Sequence, residues 1–115
     1  MKTSFRSIRL VAGSGIALGA LALLQGAAAQ EPAQPVVVEI RDFAFVPASI
    51  SVRPGTIVTF RNLDDEPHSV VADTGAFRSG ALDTHESFSY TFSRAGTFSF
   101  ACSLHPHMTG VVRVE

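Results

Sequence analysis

Cys102, His105 and Met108 fall within seven residues, in the run Cys-Ser-Leu-His-Pro-His-Met, and His68 stands 34 positions before Cys102, directly after Pro67. Donors three apart can converge from a single tight loop. No turn reaches back 34 residues, so His68 has to arrive from the end of a neighbouring strand. The chain must therefore bring two distant loops together at one end of its fold, and folding itself then sets the positions of the donors.

The intervening sequence supplies short strands. Val36 to Asp42 is apolar and β-branched, and Ser49 to Arg53 alternates around Ile50 and Val52. Pro54-Gly55 suits the centre of a type II turn, which needs a positive φ at its third residue. Thr56 to Leu63 is a second β-rich run, and His68 to Ala72 is a short apolar one. Period two is clearest from Glu86 to Phe92, where Phe88, Tyr90 and Phe92 share a face. Ala95-Gly96 turns the chain, Thr97 to Ala101 repeats the alternation with Phe98 and Phe100, and Val111 to Val114 closes it. Phe60, Phe88, Phe92, Phe98 and Phe100 read as core. Seven to eight short strands separated by regular turns predict an all-β, antiparallel sandwich of Greek-key type.

Residues 1–29 carry a different signal. Lys2, Arg6 and Arg9 precede an apolar run from Leu10 to Leu24, and Ala27-Ala28-Ala29 follows. That order is the layout of a secretory signal peptide cut after Ala29, and the run is shorter than the ~20 residues of a spanning helix. Residues 30–35 read as a flexible lead and 36–115 as the folded domain. Export to the periplasm follows, with no membrane attachment after cleavage. From Gln30 onward six arginines face ten carboxylates, a net charge of −4 with neutral histidines. No basic patch suits nucleic acid. A monomer is the expected state.

Small exported domains usually spend cysteines in pairs. This chain has one, so Cys102 makes no internal disulfide and is buried, reactive, metal-bound or joined to another chain. Taken singly, each candidate has an ordinary role: Cys102 and Met108 as core filler, His105 and His107 as polar loop residues, His68 at a strand end. Taken together, one thiolate, two imidazoles and one thioether are the donors of a type 1 copper site, with His68, His105 and Cys102 in a trigonal plane and Met108 weakly axial. Soft sulfur favours Cu(I) and imidazole tolerates Cu(II), so one such ion can change charge by one electron without leaving.

The chain resembles the cupredoxins from Phe43 to Val114, most closely amicyanin-like chains, with pseudoazurin- and plastocyanin-like chains further off. Cys102, His105 and Met108 reproduce the short Cys-x2-His-x2-Met loop. Pro67-His68-Ser69-Val70, Pro54-Gly55-Thr56-Ile57-Val58-Thr59-Phe60 and Gly96-Thr97-Phe98-Ser99-Phe100 resemble the neighbouring segments. The resemblance implies that Asn62 ties the His68 loop to the backbone near Ser103. It implies redox partners such as a dehydrogenase or a c-type cytochrome, docking transiently near His105 on Leu104, Pro106, Pro67 and His107. His107 departs from the family pattern, where an apolar residue is expected; it and His85 are expected to face solvent.

Two other classes remain to be separated from an electron carrier. A copper carrier or storage protein tends to use methionine-rich, adaptable sites, whereas Met108 is the only methionine after the leader. A copper enzyme of this fold needs further histidines, and a papain-like Cys–His enzyme needs a cleft that so short a chain scarcely provides. The reading is therefore a non-enzymatic carrier.

Overall fold

A computed structural model describes residues 34–115 of the chain. The expected leader over 1–29 and most of the expected lead over 30–35 lie outside the described residues. Eight strands follow: β1 (Val36–Arg41), β2 (Ala44–Val46), β3 (Ser49–Val52), β4 (Thr56–Asn62), β5 (Val71–Ala72), β6 (Ser87–Phe92), β7 (Gly96–Ala101) and β8 (Thr109–Val114). There is no helix among the described residues.

The strands form two four-stranded sheets, ordered β2-β1-β4-β6 and β3-β8-β7-β5. The sandwich expected from the sequence is present, but it is not purely antiparallel. β1 runs parallel to β4, pairing Val36 with Val58 and Ile40 with Asn62, and β3 runs parallel to β8, pairing Ser49 with Val111. Alternation fixes which face a side chain takes, and it carries no information on the direction of the neighbouring strand.

Alternation is clearest in β4, where Thr56, Val58, Phe60 and Asn62 point inward and are buried while Ile57 and Arg61 are exposed. The inward faces meet in one core that includes Val38, Ile40, Phe60, Phe92, Phe100 and Val112. Phe60 packs edge-on against Phe100 with ring centroids 5.3 Å apart, and Phe92 against Phe98 at 5.4 Å. Of the five phenylalanines read as core, Phe88 and Phe98 are half-buried at its margin. Phe45 and Phe77 are core members that the strand pattern did not pick out, because β2 is only three residues long and Phe77 lies in an irregular segment.

Two glycines are required by geometry. Gly55 has φ 91°, and the Arg53 carbonyl accepts a hydrogen bond from the Thr56 N–H at 3.1 Å, so Pro54-Gly55 forms the expected turn. Gly110 opens β8 beneath the Phe100 ring. A Cβ there would stand 2.7 Å from Phe100 Cε2, overlap Cζ, and lie 2.9 Å from the Ala48 carbonyl oxygen. Phe100 is buried and Ala48 contributes backbone, so neither yields easily. Gly110→Ala is expected to destabilise the domain by roughly 1–3 kcal/mol through overpacking, measurable as a lowered denaturant midpoint.

Candidate metal centre

Strand alternation aims the cysteine inward. Phe98 and Phe100 face the core from β7, and Cys102, two residues further on, continues the same face and is fully buried. The loop after it closes on itself: Met108 N–H donates to the His105 carbonyl at 2.9 Å, and Cys102 N–H donates to the Met108 carbonyl at 3.1 Å. Met108 is thereby turned inward and is buried. Leu104, Pro106 and His107 are exposed, and His105 is half-buried between them.

His68 comes from the loop between β4 and β5. It lies ahead of β5 and makes an isolated bridge with Leu82, with N–H to carbonyl distances of 3.1 and 2.6 Å, so the strand expected over His68 to Ala72 shortens to its last two residues. Asn62, inward at the end of β4, holds this loop. Its amide donates to the carbonyls of Glu66 (2.8 Å) and Leu82 (2.9 Å), and its Oδ1 accepts from Asp64 N–H (2.9 Å). The expected tie from Asn62 to the backbone near Ser103 is not made, because the amide is already engaged within its own side of the site. Ser69 makes that tie instead: its Oγ accepts from Ser103 N–H at 2.8 Å and lies 2.8 Å from Ser103 Oγ.

The two loops bring three of the four candidate donors into one place. Cys102 Sγ lies 3.8 Å from His68 Nδ1 and 3.8 Å from His105 Nδ1, and the three ligand atoms all fall within 4.8 Å of one another. Met108, the fourth, is buried in the same loop. His68 Nε2 donates to Asp64 Oδ2 at 2.8 Å. That bond orients the ring and turns Nδ1 toward the sulfur. The ring of His105 lies 4.9 Å from that of His68. His107 and His85 are exposed and stand outside the cluster.

The surroundings of Cys102 favour its thiolate. Burial opposes ionisation, but the Ser69 N–H at 3.3 Å, the two imidazoles and the Leu104 N–H outweigh it and bring the thiol from 9.0 down to about 6. The sign for stability follows. A depressed acid stabilises the fold in full above its ordinary range and loses that contribution as pH falls through its folded value. Metal-free protein is therefore expected to melt at progressively higher temperature from pH 6 to pH 9, and Cys102→Ala to lack this gain, as paired melts across that window would show. Asp64 is likewise held below the usual carboxylate value; burial opposes this, and the N–H groups of Phe43 and Asp42 and the His68 ring overcome it.

Three participants were not singled out from the sequence. Asp64 stands four residues before His68, a spacing that a loop allows, among other acids that hid it. Ser69 follows His68 directly. Phe43 marks only the start of the resemblance in the sequence, yet its ring lies edge-on to His68 at 5.2 Å and to His105 at 5.0 Å.

The donor set fits one copper ion of type 1: a thiolate poised near neutrality, two ring nitrogens facing it and a buried thioether in the same loop. Comparison with known proteins identifies the family. Residues 14–114 match the family model described as a cupredoxin-like domain. The amicyanin of Paracoccus versutus is 33% identical over 94 residues, covering 77% of this chain and 71% of its own. A solved structure of a reduced amicyanin variant superposes with a TM-score of 0.67 at 30% identity, covering 77% of this chain and 88% of that one. The copper-containing nitrite reductase of Thermus scotoductus SA-01 superposes with a TM-score of 0.67 at 31% identity, covering 75% of this chain but only 23% of the reductase.

Proposed function

Because this chain belongs to the cupredoxin-like family, we propose that it is a small electron carrier whose single type 1 copper is held by Cys102, His68 and His105, with Met108 as the weak fourth donor. The observation that carries this reading is the convergence of Cys102 Sγ with both Nδ1 atoms in a pocket where Cys102 and His68 are buried and His105 alone of the three is part-exposed. Copper, when bound, supplies a reversible one-electron couple.

The chain's own residues do the rest. Asp64 and the Asn62-bound loop hold His68 in place, and Ser69 and Ser103 join the two ligand loops. With these ties in place before metal arrives, little has to rearrange between the two charge states. Burial of Cys102, His68 and Met108 keeps water from the donors. His105 offers the short way out, and exposed Leu104, Pro106, Pro67 and His107 flank it. A partner docking there would touch a small area and leave quickly. Redox proteins such as a dehydrogenase or a c-type cytochrome fit this role.

The carrier is a monomer in this reading, exported to the periplasm, with residues 1–29 removed and 36–115 as its working domain. In this reading the chain carries electrons and is not an enzyme; the copper-containing nitrite reductase matches it over 23% of the reductase chain. Voltammetry of copper-loaded protein tests the function. A reversible one-electron wave at scan rates that exclude slow rearrangement is the expected result. Tight copper binding with no reversible wave would point to a storage protein.

A further inference from the structure

We propose that Phe43 is a positioning residue for the metal centre, held by Asp64 on a strained hairpin so that its ring braces both imidazoles and shields His68 from water. This rests on His68 and His105 being ligands, as proposed above. The hairpin between β1 and β2 has two residues, closed by the pair Arg41 and Ala44. Its central residues, Asp42 and Phe43, have φ 54° and 56°. Turns of this kind favour Asn-Gly, and a bulky residue with positive φ is disfavoured. Phe43 is also 42% exposed, so core burial does not account for it.

Asp64 holds the strained turn. Its Oδ1 accepts the Asp42 N–H at 2.7 Å, and its Oδ2 accepts the Phe43 N–H at 3.0 Å and the His68 Nε2–H at 2.8 Å. One carboxylate thus fixes the hairpin and the histidine together. The Phe43 ring then meets His68 at 5.2 Å and 90°, and His105 at 5.0 Å and 87°, both edge-to-face. His68 is fully buried although its loop is at the end of the sandwich. Strain and exposure of an apolar side chain are retained where the ring covers the two rings that face the sulfur.

The test measures copper release into excess chelator from wild-type, Phe43→Ala, Phe43→Leu and Asp42→Gly proteins, together with imidazole proton shifts of each protein free of metal. Losing two edge-to-face contacts is expected to speed release about tenfold in Phe43→Ala, with Phe43→Leu intermediate. Asp42→Gly relieves strain but keeps the ring, and should release at the wild-type rate. In metal-free Phe43→Ala and Phe43→Leu, the His68 and His105 ring protons should lose their ring-current shifts. Release from Phe43→Ala at the wild-type rate would overturn the proposal, as would equal acceleration in Asp42→Gly, which would assign the effect to a loosened turn. Unshifted imidazole protons in both Phe43 variants would overturn it without any copper. A wild-type protein that takes up no copper would instead refute the ligand reading, leaving the metal-free shifts to decide whether the brace exists.

Discussion

Cys102→Ser is expected to abolish the intense visible absorption of the copper-loaded protein and to weaken copper binding by orders of magnitude. The absorption comes from charge transfer between thiolate sulfur and Cu(II), and Cys102 is the only cysteine of the chain. Its thiol is held at about 6, so it is largely ionised at neutral pH and ready to bind. A serine hydroxyl is not ionised there, and its oxygen is a hard donor that does nothing to hold Cu(I). The fold should survive, because serine is slightly smaller and the Ser69 N–H that points at the sulfur, at 3.3 Å, can donate to an oxygen instead. Circular dichroism and the visible spectrum of the same sample separate lost colour from lost structure. A folded Cys102→Ser protein that stays intensely blue would contradict the ligand assignment.

Removing copper is expected to have the second large effect, on stability. The donors meet only in the folded chain, since His68 and Cys102 are 34 residues apart in sequence. A ligand bound only by the native state stabilises it by about 4.1 kcal/mol when present at a thousand times its dissociation constant. For a domain of this size each kcal/mol moves the melting temperature by about 4–8 °C. A difference of roughly 15–30 °C between copper-loaded and metal-free protein follows from those two figures. Scanning calorimetry of both forms checks it, and coincident melting curves would mean that copper does not bind the native site.

How far the residues announced this structure differs along the chain. The facing of β4, β6 and β7 was legible because each alternates cleanly, and the Pro54-Gly55 turn because only glycine adopts its φ of 91° without cost. The loop from Cys102 to Met108 was legible because its donors are chemically distinct and close in sequence. β2 was not, since three residues between two turns carry no period. The parallel pairings β1–β4 and β3–β8 were not, because strand direction is settled by long-range packing. The importance of Asn62 is legible but its partners, the Glu66 and Leu82 carbonyls, are not; which carbonyl an inward amide meets depends on how the loop folds around it. Asp64 and Phe43 were hidden for a related reason. Their roles arise from contact between the β1–β2 hairpin and the His68 loop, about twenty residues away in sequence.

Copper titration of metal-free protein, followed by visible absorption, tests the central claim most directly. The account predicts an intense band that grows linearly and stops at one equivalent of Cu(II), fades on adding ascorbate and returns on reoxidation. A weak band alone, as nitrogen and oxygen ligands give, or an end point other than one equivalent, would contradict a single thiolate-bound copper at Cys102, His68 and His105.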